Sequence, residues 1–392
     1  MTTHATSKSA TVTTRQPPFR ADHVGSLLRP PRLKEARERL LGPHTADTNV
    51  APHHNDALRQ IEDGFVREVI AMQERVGLKA ITDGELRRRS FMLELLLGWE
   101  GIAASRSDSS NLKWRNDTGA SDNMTSLSIV APIRWRESST LAHFKFLKAS
   151  TSGIPKLALP APNLVHYFLS DAGRLDNTPY RDMEAFWADL IATYIQEIKS
   201  LVTAGTTYIQ FDDVCFGYMC DPAHRDYMKR RGDDPDKLLE KYASTINAVI
   251  RDVPSNVTVT VHTCRGNREG QWFAEGSYEA VADIMFNQIN VSGFFLEYDS
   301  ARAGGFGPLR FLPKDKTVVL GLVSTKKPEL ESAEVLMNRI DEASKVVPLG
   351  QLALSPQCGF ASSYRGNALT LAEQEAKLRR VVEVADKVWG DV

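Results

Sequence analysis

The sequence predicts an α/β protein, a (β/α)8 TIM barrel with an inserted β-hairpin and long loops at the barrel mouth. Three observations carry that expectation: eight short apolar runs each end in a polar or small residue, amphipathic helical patterns lie between them, and a last amphipathic stretch follows the eighth run. The runs are FRADHVGS (19–26), KAITDGE (79–85), KLALPAP (156–162), TYIQFDD (207–213), VTVTVHTC (257–264), GFFLEYD (293–299), TVVLGLVS (317–324) and QLALSPQC (351–358). Helical patterns run from Leu58 to Gly77, Met183 to Ala204, Pro235 to Val253, Ser277 to Asn287, Ser332 to Val346 and Thr370 to Trp389. Gly205 closes the second of them as a helix-terminating residue, and the last covers the eighth strand. A doubly wound open sheet is the alternative that the same alternation allows.

Two connections are too long for simple crossovers. Residues 30–57 include GPHTADTNVAPHHN (42–55), which reads as a surface loop, and residues 104–124 read as a mobile polar insertion. After the insertion, SLSIVAPIRW and TLAHFKFL are expected to form a β-hairpin laid over the barrel mouth. Residues 1–18, rich in Ser and Thr and without an acid, read as a disordered tail in preference to a transit peptide, leaving 19–392 as one barrel domain.

The 392 residues are 42% hydrophobic and 25% charged, the make-up of a globular chain with a large core. With 48 basic against 49 acidic side chains, no net field draws it to nucleic acid or to an anionic membrane. No run approaches the roughly 20 apolar residues of a membrane span, and no signal-peptide core opens the chain, so the expected location is the cytoplasm. Small molecules are the expected partners, and a homo-oligomer stays open. Four cysteines are too few for a disulfide scaffold; Cys215 and Cys220 read as packing residues, whereas Cys264 and Cys358 stand at strand ends among polar residues.

Barrel enzymes place their chemistry at the C-terminal ends of the strands. Here those ends carry His23 and Ser26, Asp83 and Glu85, Asp212 and Asp213, His262 and Cys264, Glu297, and Cys358. His262 and Cys264 stand at i and i+2 on an extended strand, so both side chains share a face and can bind one ion. Alone this pair reads more readily as a packed histidine beside an inert cysteine. With Glu297 and Cys358 it becomes a tetrahedral S2NO set that suits Zn2+ and not Mg2+ or Ca2+. Two thiolates and a carboxylate around Zn2+ give a charge of about −1, which favours an electron-rich bound thiolate over activated water.

The motifs HVGS with Arg29 and Pro30, DGE, QFDD, HTC, LEYD and SPQCGF together resemble the catalytic half of cobalamin-independent methionine synthase and its short relatives, over most of residues 19–390. The resemblance implies that His262, Cys264, Glu297 and Cys358 hold zinc, and that Ser26, Glu85 and Asp212 bind a thiol amino acid. Each of these three could otherwise be a capping or ion-pair residue. It also implies methyl transfer to homocysteine, a step of methionine biosynthesis, with methyltetrahydrofolate as a candidate donor. Two departures stand out: the chain leaves no room for the second barrel of the full-length enzyme, and GLVS puts Val323 where the family offers a histidine linked to proton handling. The short relatives include epoxyalkane:coenzyme M transferase, which opens an epoxide with a thiol. The expectation is therefore zinc-dependent alkyl transfer to a thiol, with Asp83 or Asp212 returning the proton, and with His23, Trp99, Trp272 and Tyr298 shaping the substrate pocket beside Glu85 and Asp212. A metal-free barrel decarboxylase of the uroporphyrinogen type and a barrel with structural zinc are the rival readings.

Overall fold

The computed structural model describes residues 16–42, 53–105, 112–116, 119–123, 126–169 and 178–390. The expected tail lies outside the described residues up to position 15. Among the described residues eleven strands form: β1 (Ala80–Ile81), β2 (Glu100–Ser105), β3 (Lys113–Asn116), β4 (Gly119–Asn123), β5 (Ser126–Arg134), β6 (Ile154–Pro160), β7 (Tyr208–Asp213), β8 (Thr258–Thr263), β9 (Gly293–Glu297), β10 (Thr317–Val323) and β11 (Leu352–Pro356). Seven of them make one parallel sheet in the order β1-β6-β7-β8-β9-β10-β11. Helices return the chain between successive strands, as parallel pairing requires, and Leu371–Trp389 closes the circuit against β11.

The eighth place in the barrel is taken by residues 19–26, which pair as a strand only at Ala21, bridged in parallel to Leu354 of β11. There Leu354 N donates to Arg20 O at 2.8 Å and Asp22 N to Leu354 O at 3.1 Å. Toward β1 the junction is made differently: Thr82 Oγ1 donates to Gly25 O at 2.7 Å and Leu27 N to Gly84 O at 2.9 Å. Gly25, at φ 135, breaks the run of extended backbone that a full strand needs. Deeper in this seam Lys156 of β6 reaches Asp22 Oδ1 at 2.9 Å, and Tyr208 of β7 donates to Asp22 Oδ2 at 2.9 Å. A lysine with no exposed surface is tolerable only because it is paired in this way. The sheet therefore closes as a barrel, and the open-sheet alternative falls. Val24, Phe295, Val319 and Ala353 form a separate small apolar cluster, and a much larger one surrounds them with helix and strand residues.

Two expectations change. Ahead of the expected surface loop, Pro31–Leu41 form a helix with Pro at its start and with Leu33, Ala36 and Arg37 buried; residues 43–52 of that loop lie outside the described residues. The segment TLAHFKFL is helical, inside Ser139–Ser150: Ser138 caps it by accepting from Thr140 N, and the buried Leu141, Phe144 and Leu147 repeat every three residues, not every two. The hairpin strand β5 instead pairs antiparallel with β2, from Glu100↔Arg134 to Ser105↔Ser126. Of the insertion expected to be mobile, β3 and β4 form a second antiparallel pair, and Arg115 bridges to Trp272. No helix among the described residues is long and apolar enough to cross a membrane.

Candidate active site

The barrel register brings the four predicted ligands together. His262 is the penultimate residue of β8 with Cys264 just beyond its end, Glu297 ends β9, and Cys358 follows β11. Their ligating atoms all lie within 4.8 Å of one another, every one of the four residues is buried, and the two sulfurs are 3.5 Å apart. His262 Nδ1 faces the Phe295 carbonyl at 3.3 Å. A carbonyl can only accept, so in the neutral ring Nδ1 carries the proton and leaves the lone pair on Nε2. That Nε2 is buried without a hydrogen-bond partner, which is the signature of an atom shaped for a metal rather than for packing. Backbone Gly266 N donates to Cys264 Sγ at 3.2 Å, a contact suited to a sulfur bearing negative charge. The residues present fit a zinc ion.

The crowding also sets the protonation of the bare cluster. Burial, then the neighbouring Cys358, pushes the Glu297 carboxyl up to about 7. The hydrogen bond between the two thiols, with burial, raises Cys264 well above the ordinary thiol value; the same bond, with His262 beside it, holds Cys358 well below that value against burial. Burial lowers His262, but contact with Cys358 and its charge outweigh that and raise the ring to about 9. Negative groups this close share protons unless a cation neutralises them, so cation binding here must release protons.

A cavity of about 1150 Å³, open mouth included, runs from this cluster to the surface, with Ser26, Glu85 and Asp212 on its wall beside His262, Cys264 and Cys358. The DGE turn presents Glu85 through a strained backbone: Gly84 has φ 64 and Glu85 itself φ 55. Several contacts hold it there. Glu85 N donates to Asp83 Oδ1 at 2.8 Å, and the buried Arg29 donates to the carbonyls of Glu85 at 2.7 Å, Arg88 at 2.9 Å, Leu27 and Ala361. Glu85 Oε2 is buried without a hydrogen bond, 3.6 Å from Arg88. Burial, helped by the Asp212 charge, outweighs Arg88 and raises the Glu85 carboxyl to about 7. Burial likewise raises Asp212 to about 6, although Gln210 donates to it at 2.7 Å. Ser26 stands against Gly359, where a Cβ would lie 1.8 Å from its hydroxyl.

The other predicted site residues do not line this cavity. His23 is buried with Nε2 on the Ala80 carbonyl at 3.1 Å, and burial lowers its ring to about 4, so it is a neutral seam residue. Asp83 holds the turn; burial works against its charge, but Arg88 and Arg87 keep its carboxyl below the usual value. Trp99 lies in the core, packed edge-to-face with Tyr194 at 4.8 Å between ring centroids. Tyr298 packs between Tyr278 and Phe306. Trp272 lies under the Arg302 guanidinium at 4.4 Å and lines a separate cleft with Asp299 and Ser324. The cavity wall is instead supplied by Phe91, Trp114, Phe168 and Tyr218, with Arg89, Arg268 and Arg365 among its polar residues. Phe91 and Arg89 follow the DGE motif and Arg268 follows HTC, so proximity to those motifs was their one signal in the sequence; Trp114 and Phe168 had none.

Comparison with known proteins agrees with this architecture. Residues 174–387, over half of the chain, match the family described as cobalamin-independent synthase, catalytic domain. "Uncharacterized protein YxjH" of Bacillus subtilis is 37% identical over 96% of this chain and 96% of its own length. A methionine synthase of Saccharolobus solfataricus is 25% identical over 86% of each chain. The crystal structure of a putative vitamin-B12 independent methionine synthase from Listeria monocytogenes superposes with a TM-score of 0.72 at 33% identity, covering 96% of this chain and all of that one. A barrel with these ligands at its strand ends, matched in this way, belongs to the cobalamin-independent methionine synthase family through its catalytic domain.

Proposed function

We propose that the chain is a zinc-dependent S-alkyltransferase that carries an alkyl group, methyl in the favoured case, to the sulfur of homocysteine or a similar thiol amino acid. The observation that supports it best is the quartet His262, Cys264, Glu297 and Cys358 with its unpartnered Nε2, opening into the cavity that Ser26, Glu85 and Asp212 share. Zinc bound by that quartet supplies the Lewis acidity that makes a substrate thiol a thiolate at neutral pH. Glu85 receives the substrate ammonium: its carboxyl near 7 is half ionised at neutral pH, and a cation beside it completes the ionisation. Ser26 offers a hydroxyl to the substrate's polar end. Asp212, near 6, gains and loses a proton readily around neutral pH and so returns one to the donor's leaving atom. Asp83, committed to the turn, supports Glu85 and takes no part in that transfer. The aromatic wall of Phe91, Trp114 and Tyr218 shields the reacting atoms from water and covers the electrophile.

The test is a panel of thiols against methyltetrahydrofolate, methylcobalamin and epoxide donors, with zinc-loaded protein. Methionine is expected from homocysteine and a methyl donor. Turnover of coenzyme M with an epoxide, and none with homocysteine, would replace methyl transfer by epoxide opening.

A further inference from the structure

Strand β10 ends in Val323, and two residues on, the buried Thr325 meets Gln357, the neighbour of ligand Cys358. The Gln357 side chain is fixed at both ends. Its Oε1 accepts from Thr325 backbone N at 2.9 Å and from Thr325 Oγ1 at 2.6 Å. A backbone N–H can only donate, so the amide oxygen must face Thr325 and the amide nitrogen the other way. On that side lies Glu297, with Gln357 Nε2 donating to its Oε1 at 3.4 Å. Gln357 is 1% exposed and Glu297 2%, so no water competes freely for either group. The backbone of Glu297 is held as well, its N–H donating to Tyr278 Oη at 3.0 Å.

We propose that Gln357 is a positioning residue for the Glu297 carboxylate, aimed by Thr325, and that the pair sets how tightly the quartet binds zinc. The inference rests on the zinc reading above. Of the four ligands, Glu297 has the longest side chain and loses the most rotamer freedom when it is held in place. An amide donor locked by a neighbouring strand orders the carboxylate in advance and steadies its negative charge. This gives the end of β10 a task in the site although Val323 offers no ligand or proton.

The experiment measures zinc affinity by competition with a chromophoric chelator, alongside thermal unfolding of the metal-stripped proteins. Gln357→Leu should weaken zinc binding on the order of 10- to 100-fold, the usual cost of losing an outer partner of a metal ligand. Thr325→Val, which keeps the backbone donor, should weaken it less, and Thr325→Ser should match the wild type. The double variant Gln357→Leu with Thr325→Val should be no weaker than Gln357→Leu alone, because the two act in series. A purely structural role would lower the melting temperature of the metal-stripped variants and leave zinc affinity unmoved, and that result overturns the proposal. Should Gln357→Leu fail to fold, wild-type zinc affinity in Thr325→Val overturns it equally. Wild-type protein that binds no zinc overturns both this inference and the function it rests on, whereas a zinc-binding wild type with an unaffected Gln357→Leu overturns this inference alone.

Discussion

Replacing Glu85 by Gln removes one charge from the cavity wall with almost no change of shape. Arg88 keeps a partner, since it donates to Ala158 O at 2.9 Å, and the turn keeps its contacts through the Glu85 backbone, so the fold should survive. A hydrogen bond to a charged group contributes about 1.5–3 kcal/mol, which converts to roughly 10- to 100-fold in affinity. Arg88, 3.6 Å from Oε2, already neutralises part of that charge, so the lower end applies and KM for homocysteine should rise roughly tenfold. The effect has a pH signature. With its carboxyl raised to about 7, Glu85 is mostly neutral at pH 6 and mostly ionised at pH 8. Wild type should therefore bind an ammonium-bearing thiol better as pH rises, and its advantage over Glu85→Gln should shrink to about twofold at pH 6. Steady-state kinetics and calorimetric titration with homocysteine at pH 6 and pH 8 read this directly, with zinc content as the control. Equal KM values at pH 8, or zinc loss in the variant, would refute the assignment of Glu85 to the substrate.

Three further outcomes are expected. Cys264→Ser and Cys358→Ser should each lose zinc and activity together, read by metal analysis, because a neutral hydroxyl is a far poorer ligand than a thiolate. Zinc-edge X-ray absorption should show an oxygen replaced by sulfur when homocysteine is added, with proton release near neutral pH, since Glu297 is the hardest and longest of the ligands; a coordination shell that does not change under saturating thiol contradicts this. Gly359→Ala should displace the Ser26 hydroxyl, which a Cβ would approach to 1.8 Å. That should lower stability by about 1–3 kcal/mol in denaturant unfolding and raise KM for the thiol while zinc stays bound.

The meeting of His262, Cys264, Glu297 and Cys358 was legible in the sequence because strand period and barrel closure are both simple rules: i and i+2 share a face, and strands five, six and eight end on the same rim. The place of Glu85 and Asp212 on one cavity wall was legible for the same reason. Trp99, Trp272 and Tyr298 were not placed correctly, because an aromatic near a strand end can turn to the core, to a side cleft or to the cavity, and loop packing decides which. Trp114 reaches the cavity only because Gly266 has no Cβ, which would lie 2.8 Å from its ring. That is a contact between residues far apart in the chain, and no local pattern announces it. TLAHFKFL was expected as the second arm of a hairpin, but Ser138 and the spacing of Leu141, Phe144 and Leu147 favour a helix that packs against β6. In FRADHVGS the pattern was right in place but not in pairing, because Gly25 turns the backbone away and Asp22 works through its carboxylate.

That carboxylate seam divides the site mechanically. His262 and Glu297 hang from β8 and β9, strands joined to both neighbours by unbroken runs of backbone pairing, while Cys358 follows β11, which pairs with β10 across one irregularity after Gly321 and meets the seam at a single bridge. Ser26 and Glu85 hang from the segments on either side of the seam, where one backbone bridge, one two-residue strand and a few side chains do the joining. Amides of the seam should thus exchange with deuterium well before those of β8 to β10, and warming should loosen the grip on the amino acid while the metal remains fully bound. Such an enzyme would lose substrate saturation at elevated temperature through a rising KM, with its zinc stoichiometry intact, and would regain it on cooling.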